Sequence, residues 1–255
     1  MRVFLAGATG VIGQRLAALL RDAKHEVTGA TRTPAKEPML RALGILPVVV
    51  DVFETDALAQ AVATARPDVV IHQLTDLPSA PGTPGYAAAQ EANRGLRIEG
   101  TRNLILAAKL AGVPRVVAQS IAFAYAPGEG AHREDDPLDV AAEGVRQLTV
   151  QGIVALEREV LQTPGITGVA LRYGYLYGPG TWYAVPPKPP SVHVDAAAHA
   201  ALLAVSRGAG VYNIVEDDGA VSGAKARGEL GFDPAFRIPE PLARELRTFH
   251  SAPPR

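Results

Sequence analysis

Three glycines near the start of the chain have the spacing that a phosphate-binding turn requires. Gly7, Gly10 and Gly13 form a GxxGxxG pattern between a short apolar run and an amphipathic stretch. A pyrophosphate can approach a helix N-terminus only where the backbone turns tightly and no side chain is in the way. Gly7 would supply the turn, Gly10 the close approach, and Gly13 the packing of the helix against a sheet. The pattern therefore predicts a dinucleotide site; the alternative is a flexible turn that binds nothing. The neighbouring residues of the predicted site are Thr9, Val11 and Ile12.

The end of the second apolar run indicates which dinucleotide would bind. An NAD site usually has Asp or Glu there, which accepts hydrogen bonds from the ribose 2′-hydroxyl. This run, EVTGATR over residues 26–32, ends instead on Arg32, and Lys36 follows one turn into the next helix. A guanidinium pairs well with a 2′-phosphate, which a carboxylate would repel. The sequence therefore favours NADP(H) over NAD(H); the alternative is that Arg32 and Lys36 are solvated charges at a helix start.

Alternating strands and helices must position these residues. Runs rich in Val and Ile, apolar on both faces as in buried parallel strands, cover residues 3–6, 26–30, 46–50, 68–72, 115–119 and 168–172. Amphipathic helical patterns lie between them at residues 11–23, 35–43, 55–64, 87–111 and 143–161. The alternation predicts right-handed βαβ units and hence an α/β fold with a Rossmann-type doubly wound parallel sheet.

The C-terminal part of the chain predicts a small addition to this fold. Residues 178–190 are rich in proline and suggest a short lid or crossing segment, and helix, strand and helix patterns follow near residues 195–207, 210–215 and 222–230. These pieces have no core of their own. We therefore expect residues 1–255 to form a single NAD(P)-binding domain, with a reduced substrate lobe contributed by roughly residues 178–255.

Composition excludes several classes of function. The chain has 255 residues, of which 47% are apolar and 20% charged, so wholesale disorder is excluded. A formal net charge of −1 gives no electrostatic reason to bind nucleic acid or an anionic membrane. The absence of cysteine excludes disulfides, thiolate zinc sites and cysteine nucleophiles. No His, Asp and Glu set has metal-ligand spacing, so we predict no metal. With no secretory-type start and no membrane-spanning run, we expect a cytoplasmic protein.

Several segments carry a family resemblance. They are GATGVIG at residues 7–13, VVVDV at 48–52, VVIHQLT at 69–75, EGTRNLILAAKLAGVPRVV at 99–117, LRYGYLYGPG at 171–180, HVDAAAHAALLAV at 193–205 and VYNIVEDD at 211–218. They resemble the extended and atypical branches of the short-chain dehydrogenase/reductase superfamily, and the NAD(P)-dependent epimerase/dehydratase proteins are the nearest family. The resemblance covers most of the chain. The residues that it places along the dinucleotide are Asp51, Val52, Gln73, Leu74, Thr75, Gln119 and Tyr173.

The chain departs from this family at the catalytic pair. Family members usually carry a Tyr-x-x-x-Lys pair on the helix after the fifth strand. Alignment on Glu157 puts Thr149 at the tyrosine position and Ile153 at the lysine position, and no Tyr-x-x-x-Lys occurs anywhere in the chain. Oxidising an alcohol needs the tyrosinate as a base, whereas reducing a carbonyl needs only a donor at the developing alkoxide. Since such acid–base help contributes about 10²–10⁴-fold, the departure favours reduction of an activated carbonyl or quinone-like group, or no chemistry.

Few hydroxyl groups remain as candidate proton donors. Ser120 follows the fifth strand, although Ile121 is an alternative equivalent of the family's serine. Tyr125 lies in the loop beyond it, and the resemblance places Tyr175 facing the substrate. The alternative for each tyrosine is a packing and hydrogen-bonding role in the pocket wall. The candidate catalytic residues are Ser120, Tyr125 and Tyr175.

We therefore interpret the chain as an NADP(H)-dependent oxidoreductase that reduces a small apolar carbonyl or quinoid substrate. The missing pair leaves open a non-catalytic NADP(H)-binding sensor. An epimerase or isomerase that uses bound NAD(P) is a third hypothesis, disfavoured by the short segment between Gly180 and His193. The expected partner is a small molecule, and in relatives the two long helices would form the interface of a homodimer.

Overall fold

The computed structural model of the chain describes residues 1–77, 83–216 and 219–250, without the side chains of 249 and 250. Its strands are β1 (Arg2–Ala6), β2 (Glu26–Thr31), β3 (Leu46–Val49), β4 (Val69–His72), β5 (Arg115–Ile121), β6 (Thr167–Tyr173), β7 (Tyr175–Tyr177), β8 (Ser191–His193) and β9 (Gly210–Ile214). The main sheet has the order β3-β2-β1-β4-β5-β6-β9, and β7 and β8 form a separate pair. All neighbouring strands of the main sheet are parallel. The strand order reverses between β1 and β4, where such folds bind their ligands.

Helices cover both faces of the sheet. They are α1 (Val11–Asp22), α2 (Glu37–Ala42), α3 (Thr55–Ala65), α4 (Tyr86–Gly95), α5 (Thr101–Leu110), α6 (Gly144–Gln162), α7 (Val194–Leu203) and α8 (Glu240–His250). Val3 and Leu5 of β1 point into the core under α1 and α7, whereas Phe4 and Ala6 point into the core under α3 and α5. Because the alternate residues of one strand are buried on opposite faces, the predicted doubly wound α/β fold is confirmed. No helix in the described ranges is long and apolar enough to cross a membrane.

The predicted helix over residues 87–111 has a π turn in its middle. α4 ends at Gly95, the π turn covers Leu96–Gly100, and α5 begins at Thr101. A Cβ on Gly100 would lie 3.0 Å from a methyl group of Val52, so the helix passes very close to the loop after β3. Apolar periodicity does not report such a local change of winding, which is frequent near functional sites.

The C-terminal stretch differs in detail from its sequence pattern. The predicted helix over residues 222–230 is reduced to a π turn at Ala226–Leu230, while α8 and the β7–β8 pair were not predicted. β9 pairs with β6 in the main sheet, and α7 and α8 contribute buried residues to the core that α1 covers. These contacts support the single-domain interpretation, which we retain as a proposal.

Candidate functional site

The glycine turn joins β1 to α1 in a compact conformation. Gly7 has φ +86°, and the backbone N–H of Gly10 donates to the Gly7 carbonyl at 3.1 Å. A Cβ on Gly7 would lie 2.5 Å from the Gln73 carbonyl oxygen, and one on Gly13 only 2.1 Å from the Gly7 carbonyl oxygen. Gly13 therefore packs the helix against the turn itself rather than against the sheet.

The start of α1 is open to a ligand. No described side chain caps the helix at Gly10, and its first turn holds no acidic residue. A Cβ on Gly10 would meet only the Gly7 carbonyl oxygen, at 3.4 Å. The positive end of the helix dipole therefore faces a space that an anion can approach closely.

A groove of about 210 Å³ runs from this turn along the carboxyl edge of the sheet. The predicted cofactor residues that line it are Gly7, Thr9, Gly10, Arg32, Lys36, Asp51, Val52, Gln73, Leu74 and Thr75. The predicted residues outside its lining are Val11, Ile12, Gln119 and Tyr173. Ile12 is in the core, Gln119 Nε2 donates to the Leu74 carbonyl oxygen at 2.8 Å, and Tyr173 Oη accepts from Gln73 Nε2 at 3.1 Å. Gln119 and Tyr173 thus support groove residues from behind.

Two cationic side chains lie at one end of the groove. No carboxylate occupies the end of β2, and Arg32 and Lys36 both line the groove there. Arg32 Nη2 donates to Asp76 Oδ1 at 3.2 Å, and the Arg32 side chain is 59% exposed. The sequence analysis missed this contact, which holds the guanidinium at the groove without burying it.

The residues present fit a dinucleotide. Besides the uncapped helix start and the two cations, Gln73 Oε1 in the groove wall is buried and has no hydrogen-bond partner among the residues that the structure describes. A buried polar atom without a partner is costly, so it indicates a group that a ligand would satisfy. No three His, Cys, Asp or Glu side chains in the described part of the chain are grouped to hold a metal.

Two candidate proton donors lie together in a buried network. Ser120 Oγ donates to Glu157 Oε1 at 2.6 Å, and Arg172 donates to both carboxylate oxygens of Glu157, at 2.8 and 2.7 Å. Arg172 Nη1 also donates to Tyr125 Oη at 2.7 Å, and Tyr125 donates to Asn213 Oδ1 at 2.7 Å. We call these five residues the Glu157 network.

The Glu157 network directs both hydroxyls away from the groove. Ser120 is 2% and Tyr125 5% exposed, and neither lines the groove. Burial raises the pKa of Tyr125, and the charge of Arg172 only partly opposes this effect. The sequence analysis used Glu157 only to align the helix and missed Arg172. The sequence signal for the pair is that Glu157 and Arg172 each lie within an otherwise apolar segment.

The third candidate donor is in a different environment. The Tyr175 ring is stacked on Phe123 with 4.1 Å between ring centroids, and Lys188 Nζ lies 4.9 Å from the centroid of the Tyr175 ring. The sequence analysis missed Lys188, which belongs to the proline-rich segment before β8. We call Phe123, Tyr175 and Lys188 the aromatic wall.

The family's tyrosine and lysine positions hold groups that cannot replace them. Thr149 Oγ1 donates to Gln90 Oε1 at 3.0 Å and joins α6 to α4. Ile153 is fully buried in the core. The structure thus shows no tyrosine–lysine pair at these positions of α6.

The buried His72, at the end of β4, is expected to make the stability of the folded protein depend on pH. The Leu74 N–H donates to His72 Nδ1, so Nε2 carries the ring proton and donates to Thr101 Oγ1 at 3.0 Å. Burial, and next the charge of Arg97, lower the pKa of His72 from 6.5 to about 4. As the pH falls from 6.5 to about 4, His72 binds a proton in the unfolded chain but not in the folded chain. We expect the free energy of unfolding to fall by about 3 kcal/mol through His72 alone.

Urea unfolding between pH 7 and pH 4 measures this effect. The His72→Gln variant retains a donor for Thr101 but does not titrate. Its stability should therefore fall less steeply than that of the wild type. Equal slopes for the two proteins would contradict the assignment.

Comparisons with known proteins agree with this geometry. Residues 7–180 match the NAD(P)H-binding family. A Streptomyces protein named 3-diazoavenalumate denitrifying reductase is 40% identical over 272 residues, which cover 96% of this chain and 87% of that protein. Two solved structures are similar in fold. The UDP-glucose 4-epimerase of Thermus thermophilus in complex with NAD has 18% identity and a TM-score of 0.74, over 99% of this chain and 100% of that one. MoeE5 in complex with UDP-glucose and NAD has 21% identity and a TM-score of 0.74, over 97% and 99%.

The two kinds of match carry different weight. At such low identity the solved structures show the fold alone, whereas the family match and the Streptomyces relative each extend over most of the chain. The Streptomyces relative is named a reductase. This name agrees with the glycine turn and the groove for a dinucleotide that this chain contains. The chain therefore belongs to the NAD(P)H-binding family and is an NAD(P)-dependent enzyme.

Proposed function

We propose that the protein is an NADP(H)-dependent reductase that acts on a small, planar, electron-poor compound of quinoid or diazo type. One observation carries the proposal: a chain that has a dinucleotide groove with an open helix start has no proton-transferring pair at the family's positions on α6. Thr149 and Ile153 occupy the positions of that pair. The hydroxyls of Ser120 and Tyr125 are both engaged in the Glu157 network. Such a site suits an acceptor that needs hydride but no simultaneous proton.

The chemistry of these acceptors explains the preference. A bound nicotinamide dinucleotide supplies hydride. A quinone that accepts hydride becomes a hydroquinone anion, which water protonates afterwards. An aryl diazonium group that accepts hydride loses dinitrogen and leaves a C–H bond, so atoms and electrons balance without an acid from the protein. The name of the Streptomyces relative, 3-diazoavenalumate denitrifying reductase, supports the diazo class.

Each part of the site has a defined task in this proposal. The turn from Gly7 to Gly10 and the start of α1 hold the pyrophosphate. Arg32 and Lys36 hold the 2′-phosphate, and Gln73 forms part of the groove wall along the dinucleotide. The aromatic wall positions the ring of the substrate. We assign Ser120 and Tyr125 to the buried Glu157 network rather than to proton donation, and Tyr175 to contact with the substrate.

Oxidation of NADPH, followed by absorbance, tests the proposed function. We expect turnover with benzoquinones and with aryl diazonium salts, and much slower turnover with simple aldehydes and ketones. Rates without enzyme must be subtracted, because both favoured classes react slowly with NADPH alone. Tight NADPH binding without any turnover would favour the sensor hypothesis. A preference for simple ketones would show that a proton donor operates in the site.

The Arg32→Ala variant tests the preference for NADP(H). A charge-assisted hydrogen bond contributes about 1.5–3 kcal/mol, so we expect the NADPH dissociation constant to rise about 10- to 100-fold. NADH lacks the 2′-phosphate, and its binding should be unchanged. Arg41→Ala is the matched control, because Arg41 pairs with Glu37 on α2 outside the groove. An equal loss for both dinucleotides would contradict the assignment of Arg32.

A further inference from the structure

Arg97 is a buried cation with no counter-charge in the described part of the chain. It lies on the π turn between α4 and α5 and is 5% exposed. Its Nη1 is buried and has no hydrogen-bond partner, and no carboxylate in the described ranges forms an ion pair with it. Burial lowers the pKa of Arg97 only to about 10, so the guanidinium is charged at neutral pH. Buried charges are usually paired, and an unpaired one calls for a ligand.

The aliphatic part of the Arg97 side chain packs closely against α6. A Cβ on Gly152 of α6 would lie 3.1 Å from Arg97 Cδ, so a larger residue there would displace the side chain. Gly152 precedes Ile153, which occupies the position of the family's lysine. Arg97 therefore packs against α6 next to the position of the family's lysine, although it belongs to a different helical segment.

The aromatic wall lies near the same part of α6, because Ile153, which follows Gly152, packs with Ala124 in one apolar cluster, and Ala124 directly follows Phe123 of the aromatic wall. Tyr86, at the start of α4, links the two: its pKa is raised by burial and by Tyr175, and lowered by Arg97 and Lys188. Arg97 and Lys188 lie far apart in the sequence, but the charges of both act on the phenol of Tyr86. The stacked rings of Phe123 and Tyr175 form an aromatic surface beside the charge of Lys188.

We propose that Arg97, assisted by Lys188, binds an anionic oxygen group of an aromatic substrate whose ring packs against the aromatic wall. A planar guanidinium matches the two oxygens of a carboxylate. Arg97 is already desolvated when the chain folds, so pairing with it requires the desolvation of the carboxylate alone. This inference rests on the proposed function and narrows its substrate class from an apolar compound to an aromatic anion.

Binding of two probes of equal shape and different charge tests the inference. Calorimetry compares trans-cinnamate with neutral cinnamamide on the protein saturated with NADP⁺. We expect wild-type protein to bind cinnamate at least about tenfold more tightly. Arg97→Gln should remove this preference and leave the affinity for cinnamamide unchanged. Arg94→Gln is the control, since Arg94 is paired with Glu91, and should behave as wild type.

A second readout separates binding from a purely structural role. Because Arg97→Gln removes an unpaired buried charge, it should raise the melting temperature; a fall would show that Arg97 stabilises the fold. Arg97→Lys retains the charge and should retain part of the preference, and Lys188→Gln should reduce it several-fold. Equal binding of the two probes by wild type, or an unchanged preference in Arg97→Gln, would overturn the inference. Oxidation of NADPH by benzoquinone is measured separately, so either hypothesis can fail alone.

Discussion

Replacement of Glu157 by glutamine is expected to destabilise the folded protein by about 3–5 kcal/mol. The carboxylate accepts two hydrogen bonds from Arg172 and one from Ser120, and the two charged side chains are 8% and 5% exposed. Without its charge, Arg172 remains as an unpaired cation in the core, where water cannot solvate it. Urea unfolding at neutral pH measures the loss.

Two further variants test whether the unpaired charge of Arg172 causes this loss of stability. The double variant Glu157→Leu, Arg172→Met removes both charges and should recover much of the stability, since an apolar pair of similar volume often replaces a buried ion pair. Glu37→Gln breaks an exposed pair with Arg41 and should change stability by less than about 1 kcal/mol. A loss of that small size in Glu157→Gln would contradict the buried pair.

The Glu157 network also bears on catalysis. If Ser120 only supports the fold, Ser120→Ala should lose one hydrogen bond, about 1–2 kcal/mol of stability, and retain NADPH oxidation. If Ser120 donates a proton, the same variant should lose about 10²–10⁴-fold in kcat. The two roles are thus distinguished by which quantity changes.

The sequence predicted those features that depend on local patterns. Strands with both faces apolar and glycines at a strand–helix junction are short-range signals, so the sheet, the turn and the charged end at Arg32 were found in advance. Contacts between distant residues leave no such signal. Asp76 lies beside Arg32, and Lys188 lies over Tyr175, only because the fold brings separate segments together.

Side-chain direction was equally hidden from the sequence. Ser120 is at the strand end where a donor is expected, but β5 turns its hydroxyl towards Glu157. The π turn shows the same limit, since the periodicity of residues 87–111 is compatible with an unbroken helix. The change of winding places Arg97 beside Gly152, and only the three-dimensional packing shows this.

Gly10→Val is expected to abolish tight dinucleotide binding while leaving the protein folded. A Cβ at this position has only one neighbour, 3.4 Å away, and φ is −77°, which valine adopts readily. The rest of the valine side chain would enter the groove where a pyrophosphate must approach the helix start. We expect the NADPH dissociation constant to rise at least about 100-fold, which corresponds to about 2.7 kcal/mol. The free energy of unfolding should change by about 1 kcal/mol or less.

Two other glycines show whether this effect is specific. Gly13→Ala places a Cβ 2.1 Å from the Gly7 carbonyl oxygen, so it should reduce stability as well as binding. Gly95→Ala in α4 has no neighbour within 4 Å and should stabilise the protein by about 0.5–1 kcal/mol with unchanged binding. Calorimetry and urea unfolding measure both quantities for each variant. Nearly normal NADPH binding by Gly10→Val would mean that the pyrophosphate does not lie against the start of α1. If Gly10→Val loses binding but not stability, and Gly13→Ala loses stability, then the two glycines of this turn have different roles. Gly10 leaves room for the ligand, and Gly13 packs the helix against the turn.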